Sequence, residues 1–320
     1  MKISSFVAAM AFSLAAHISL NAQPQAYLGY PSPDGKIDIR AGFAHPPKGY
    51  GNVPFYWWSG DSLRIDRLAD QLEILSGSAT EGFAVSYNHT HAKVDTAVNA
   101  AGHGFCGVPE YSTPAAFSEE WWKIWNEFSG MCADKGMGAG MDDYVFAWPG
   151  NRDFRDRVEH ETRFQGYQGR MKTMTVALKD RLPDHTLCSV PQGGDSLFVV
   201  YTVPSHELHP EFGKGIVEGY FKPFEDHMDA RGLRGMNYFF QDELVYEAGL
   251  DSWCEDMPQE FKARKGYDIV PLLPLLFGPG RDSVKVRLDY AEVVTQLAEE
   301  RFFKPIYDWN ASSSILGDVK

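Results

Sequence analysis

The sequence predicts an α/β fold, a TIM-type (β/α) barrel that is incomplete at about four strand-helix units and carries a small β-rich insertion. Three observations lead there. From Val53 onward short apolar runs alternate with stretches of helical spacing. That order, with strands apolar on both faces, describes a parallel sheet. Successive apolar runs also end in polar clusters, as barrel strands do at the rim that holds an active site. Finally, residues 152–205 interrupt the alternation with long extended runs.

Residues 1–22 hold a single Lys, an apolar stretch from Phe6 to Leu20 and the small-residue exit Leu20-Asn21-Ala22. They read as a signal peptide cleaved after Ala22, too short to span a membrane, and so predict a secreted or periplasmic chain. Residues 23–52 form an N-terminal extended segment, and 53–320 the partial barrel with its insertion at about 152–205. Val53 to Trp58 is the first strand. Ser62 is the expected N-cap of a helix whose Leu63, Leu68, Leu72 and Leu75 share a face. Gly82 to Tyr87 is the second strand, followed by a loop to about Phe117. Ser118 opens a helix that runs to Lys135, and Gly138 to Met141 leads into Asp142-Asp143-Tyr144.

In the insertion, Met171–Leu178 and Ser196–Val203 are extended runs joined through turns at Pro183-Asp184 and Gly193-Gly194, with a helical alternative open for 155–180. A helix over about 209–231 precedes a fourth strand, Met236 to Phe240. Helices over about 253–265 and 283–309 close the pattern. A complete barrel has eight units, so the reading expects a truncated chain.

Composition narrows the function classes. The formal charge is −13, which disfavours nucleic acid and anionic membranes and suits a neutral substrate. Cys106, Cys132, Cys188 and Cys254 are widely spaced with no CxxC pair, which argues against a zinc ribbon or a disulfide scaffold. Aromatics make up 14% of the chain, with eight Trp, a surplus that suits either sugar stacking or a large core. There is no G-x-S-x-G elbow and no glycine-rich phosphate cradle.

The polar strand ends are Trp58-Ser59-Gly60-Asp61, Asn88-His89-Thr90-His91, Asp142-Asp143-Tyr144 and Asp242-Glu243. Glycoside hydrolysis needs a protonated carboxyl, a second carboxylate and hydrogen bonders for sugar hydroxyls, and this set supplies all three. Side chains alternate along a strand, so Asp242 and Glu243 point to opposite faces. Glu243, with the longer arm, is the favoured general acid, and Asp242 holds a neighbour or raises the Glu243 pKa by repulsion; the reverse assignment stays open. His89 and His91 suit sugar contacts, half a zinc site or an exposed loop pair. Asp142-Asp143 suits a diol or a cation, with Tyr144 beside it. Trp58 and Trp148 are candidates for stacking platforms or rim packing. The sequence itself requires no cofactor.

Three stretches together resemble the secreted barrel enzymes grouped with the α-L-rhamnosidases of glycoside hydrolase family 106. They are Pro54-Phe55-Tyr56-Trp57-Trp58 with the following helix and Gly82-Phe83; Asp142-Asp143-Tyr144 with Trp148-Pro149; and Phe240-Gln241-Asp242-Glu243-Leu244, Trp253, then Glu260 to Asp268 and Pro271 to Gly278. The resemblance covers about residues 43–310, the front part of such an enzyme. It implies a TIM-type catalytic barrel, a polysaccharide or oligosaccharide substrate, a Ca²⁺ near the site and a catalytic acid at Glu243. The chain departs from the pattern at Trp148-Pro149-Gly150, where a Ser is expected between Pro and Gly. The expectation is therefore a glycosidase portion with little or no activity on its own. The competing readings are a non-catalytic glycan-binding protein of the same fold and an inactive gene fragment. Oligomeric state is left open.

Overall fold

The computed structural model describes residues 38–45, 51–58, 62–87, 89–91, 108–142, 152–159, 162–241, 246 and 248–313. In chain order the helices and strands are α1 (Ile39–Ala44), β1 (Phe55–Trp58), α2 (Ile65–Ser76), β2 (Gly82–Tyr87), β3 (His89–His91), β4 (Val108–Glu110), α3 (Glu119–Asp134), β5 (Gly138–Asp142) and α4 (Arg152–Glu159). They continue as β6 (Arg170–Ala177), β7 (Thr186–Gly193), β8 (Ser196–Val203), α5 (Phe212–Ile216), α6 (Lys222–His227), β9 (Met236–Phe240), α7 (Met257–Lys265), α8 (Pro274–Phe277), α9 (Ser283–Ala298) and α10 (Lys304–Ser312). The chain divides into two compact units, one of Met1–Tyr144, His227–Asp242 and Ser313–Lys320, the other of Val145–Asp226 and Glu243–Ser312.

The first unit is built on a four-stranded parallel sheet in the order β1-β2-β5-β9. These are the four strands expected from the apolar runs. Register fixes which side chains share a face, because partners across a parallel ladder point the same way. Tyr56 and Trp58 lie level with Val85 and Tyr87, and Val85 with Met141. This is the helix-facing side. There Phe128 of α3 meets Trp58 at 4.8 Å and Phe83 at 6.0 Å between ring centroids, and Trp125 meets Trp58 at 5.8 Å. Leu68 and Leu72 of α2 are buried as the helical spacing requires.

The other face carries Phe55 and Trp57, then Ala84 and Ser86, Gly138, Gly140 and Asp142, and finally Tyr238 and Phe240. Small residues on the two middle strands let the sheet curl toward this side. Three strand spacings would hold flat edge strands about 14 Å apart, yet the rings of Phe55 and Phe240, from opposite edges, stand 5.4 Å apart at 72°. A Cβ at Gly140 would lie 2.3 Å from the Tyr238 ring, so glycine is what admits that ring onto the concave face. The register shift between Ala139 and Gly140 sets Asn237 out of the ladder, a bulge of the kind often found beside functional sites.

Two helix boundaries differ from the sequence reading. The N-cap of α2 is Arg64, without a side-chain capping bond, and not Ser62. Ser118 does cap α3, accepting from the Trp121 amide at 3.2 Å, with Glu119 and Glu120 in the first turn favoured by the helix dipole. The expected loop after β2 contains a short antiparallel ladder, β3 with β4. The chain entering β9 crosses α3 closely: Ser129 Oγ donates to the Gly232 carbonyl at 2.6 Å, and Asn126 Nδ2 to the His227 carbonyl at 3.0 Å.

The second unit contains an antiparallel sheet in the order β6-β8-β7. Two of its strands were legible as extended runs, and β7, with Pro191 and little alternation, was not. The helical alternative holds only for α4. The core gathers Met171, Val200, Trp253, Phe261, Tyr290 and Leu297. The single helices expected over 209–231 and 283–309 are each broken by a π-helical turn, Val217–Phe221 and Glu299–Phe303. The cause is the same in both. Pro223 and Pro305 follow two residues after each π turn, and a proline lacks the N–H that would bond the carbonyl four residues back. The freed Gly219 carbonyl accepts from Arg157 Nε at 3.2 Å. The start of α7 slips from Trp253 to Met257, where Pro258 suits a first turn. Gly266 ends it in the left-handed region.

Candidate functional site

The C-terminal ends of β1, β2, β5 and β9 lie along one edge of the curled sheet, as parallel pairing demands. Asp142 is the acid that the described residues place there. It is the last residue of β5, it is 2% exposed, and it shares the concave face with Gly140 and Ser86. Its register partner is Phe240, the last residue of β9. Asp242 and Glu243 follow Phe240 by two and three positions in the chain, and both lie outside the described residues. So do Asp143, Tyr144 and Trp148. His89 and His91 sit on β3 opposite Glu110 and Val108, and their side chains are outside the description.

Trp58 resolves to the packing alternative. Its side chain is 4% exposed and faces α3, on the convex side of the sheet from Asp142. The tryptophan that alternation turns to the concave face is its neighbour Trp57, 37% exposed and 5.8 Å from the Phe55 ring. The physical reason is the period of two: adjacent residues cannot share a face, and the buried helix takes Trp58. Sequence reasoning also missed Ser86 and Tyr238. The signal that could have found them is register with Trp57 and Gly140, which a single strand does not reveal.

Supporting bonds fix the rim. Tyr87 Oη donates to the Pro114 carbonyl at 2.5 Å, and the Leu63 amide to the Thr113 carbonyl at 2.8 Å. Tyr56 Oη donates to Gln71 Oε1. Burial, with a smaller contribution from nearby Cys132, pushes the Tyr56 phenol up to about 12, so it stays a neutral donor across ordinary pH. Cys132, Cys188 and Cys254 are free thiols.

A calcium site does not assemble from what is described. Among the described residues no group of three or more His, Cys, Asp or Glu is placed to hold a metal, and an oxygen site for Ca²⁺ takes six or more ligands. Asp142 alone does not make one. Among the described residues no helix is long and apolar enough to cross a membrane.

The family model described as alpha-L-rhamnosidase, of glycoside hydrolase family 106, matches residues 207–315. The matched stretch is roughly a third of the chain, and it runs from the end of the insertion through β9, the Asp242-Glu243 pair and the helices to Ser312. The resemblance seen in the third of the three sequence stretches is thereby shown over that region. No curated protein matches the chain.

Proposed function

We propose that this chain carries part of the catalytic centre of a secreted or periplasmic glycosidase, an α-L-rhamnosidase in specificity, built at the C-terminal rim of the curled parallel sheet. The observation that carries the reading is the coincidence at β9. The family match includes the strand that ends at Phe240 and the two acids after it, and the buried carboxylate of Asp142 stands in register with Phe240.

Glu243 acts as general acid, delivering a proton to the leaving glycosidic oxygen as the bond to the anomeric carbon breaks. Asp242 orients it or raises its pKa through like-charge repulsion. Asp142, at the end of an all-buried strand, is fixed in place and suits a hydrogen bond to a sugar hydroxyl or electrostatic support of the cationic transition state. Trp57, and Phe55 behind it, supply the aromatic wall against which an apolar sugar face packs. His89, His91, Asp143, Tyr144 and Trp148 complete the substrate contacts in this proposal. Calcium is left to the resemblance, and no step passes through it.

The test is release of aryl alcohol from an aryl α-L-rhamnoside by the purified chain, wild type against Glu243→Gln. The chain holds part of the centre, so the expected wild-type turnover is low, and what there is falls to background in the variant, since a positioned proton donor contributes about 10²–10⁴-fold. Turnover unaffected by Glu243→Gln would remove Glu243 from the mechanism. Sugar binding without any product from either protein would favour a glycan-binding module instead.

A further inference from the structure

His209 lies in the second unit, on the turn that leads into α5, and its bonding commits it to one protonation state. Its Nδ1 accepts from the Glu211 amide at 3.1 Å. An amide N–H can only donate, so Nδ1 carries a lone pair and the imidazole proton is on Nε2. An imidazolium has a proton on both nitrogens, and two donors then face each other where the bond was.

The surroundings oppose a charge as well. The ring is half-buried and stands T-shaped to Tyr167 at 4.6 Å and to Phe164 at 5.0 Å between centroids. Phe164 stacks in turn on His206 at 5.5 Å and lies under the Arg163 guanidinium. Arg301 donates to the Leu208 carbonyl at 2.8 Å, one residue before His209. Nearby acids are engaged elsewhere: Asp256 with Arg301, Glu218 with Arg163, Glu207 with Arg170 and Glu300 with Arg264. Burial lowers the His209 pKa most; Glu211, 3.4 Å from Lys214, opposes it, and His206, Arg163 and Arg301 add to the lowering. The Tyr167 phenol, pushed up by its own burial, stays neutral.

The turn has little slack. The His209 amide donates to the His206 carbonyl at 2.9 Å, and the Phe212 amide to the His209 carbonyl at 3.0 Å. A Cβ at Gly213 would stand 2.6 Å from the Arg301 and Phe302 carbonyl oxygens, so α5 rests directly on the backbone of the π turn Glu299–Phe303. We propose that His209 is an acid-sensitive latch: a proton taken up at Nδ1 breaks the bond to Glu211, releases the turn over residues 208–212 and loosens the seat of α5. The second unit is then tight near neutrality and locally open in mild acid. The latch stands independently of the glycosidase reading.

The test uses the full chain, with nitrogen NMR of labelled histidines and amide hydrogen exchange read by mass spectrometry. Exchange is compared at about pH 7.5 and about pH 5.5, on either side of the ordinary imidazole value near 6.5. The expected result is a His209 proton on Nε2 near neutrality and a titration midpoint below about 6.5. Stability tied to an imidazole lowered on folding is present above its unfolded value and is lost as pH falls through the folded one. Protection over residues 208–216, corrected for the chemical exchange rate, therefore falls about three-fold or more in acid, while α9 of the same unit keeps its protection. His209→Asn, whose side-chain oxygen can replace Nδ1 as acceptor and takes up no proton, abolishes the fall. A proton on Nδ1 near neutrality, a midpoint at or above about 6.5, undiminished protection in acid, a loss shared equally by α9, or a loss that persists in His209→Asn overturns the proposal. If the variant does not fold, the proton position and midpoint in the wild type still decide.

Discussion

Arg301 offers the most direct test of how the second unit holds together. It lies in the π turn ahead of α10, is 8% exposed, and joins three distant stretches of chain. Its Nη1 donates to the Leu208 carbonyl at 2.8 Å and to Asp256 Oδ1 at 3.0 Å, and its Nη2 to Asp256 Oδ2 at 2.6 Å. Arg301→Met keeps the stem and removes every donor. The Leu208 carbonyl, fully buried, is then orphaned at about 1–3 kcal/mol. The Asp256 carboxylate is 40% exposed, so water takes over its bonds and that part of the loss stays within about 1 kcal/mol. The sum is about 2–3 kcal/mol. Asp256→Ala is expected to cost more, about 3 kcal/mol, because it leaves the more buried partner, the cation, with only the more distant Glu260 carboxylate, 3.9 Å from Nη2, as a counter-charge.

Urea unfolding followed by tryptophan fluorescence checks both; with a slope of about 1–3 kcal/mol per molar, the midpoints fall by about 1 M or more. The ordering has a pH signature. Burial would raise the Asp256 carboxyl, but hydrogen bonds from Arg301 and Cys254 outweigh it and hold the group below the usual range. A carboxyl lowered on folding contributes stability that is present above its unfolded value, about 3.9, and is lost as pH falls through the folded value. The difference between wild type and Asp256→Ala should therefore be constant near neutrality and shrink below about pH 4. An Arg301→Met protein within 0.5 kcal/mol of wild type, or one less stable than Asp256→Ala, refutes this account.

Three further outcomes are expected. Asp142→Asn should lower aryl rhamnoside turnover by on the order of 10²-fold while circular dichroism stays native, since it alters charge on the rim and little volume; unchanged turnover would exclude Asp142 from the site. Gly235→Ala should destabilise the first unit by about 1–3 kcal/mol or more, because its Cβ would stand 1.9 Å from the Ser129 carbonyl oxygen, a backbone atom that cannot turn aside; a melting temperature equal to wild type would contradict that packing. Cys132 and Cys254 should resist iodoacetamide at pH 8 until the chain is unfolded, because burial pushes both thiols well up and away from the reactive thiolate; mass spectrometry of native protein showing either one alkylated would argue otherwise.

Strand positions were legible because a buried parallel strand announces itself as an uninterrupted apolar run. Gly82–Tyr87 and Met236–Phe240 fall where the sequence places them. Helix breaks were less so. Pro223 and Pro305 were visible, yet an amphipathic stripe runs through both, and whether a proline ends a helix or widens one turn depends on which groups take up the freed carbonyl. For Gly219 that group is Arg157, more than sixty residues away in the chain. Strand β7 carried no alternation to read, since its pattern comes from lying at the edge of a three-stranded sheet.

The candidate site divides along the same line. The chain alone determined that Asp142 closes the third parallel strand and that Asp242-Glu243 come two and three positions after the last residue of the fourth. Those are facts of local order, fixed by where apolar runs stop. Tertiary structure decided which side of the sheet each group serves. Trp58 and Trp57 are neighbours of equal chemistry, and only the position of α3 sends the first into the core and the second to the concave face. Register and face are properties of pairs of strands, and no strand carries them by itself.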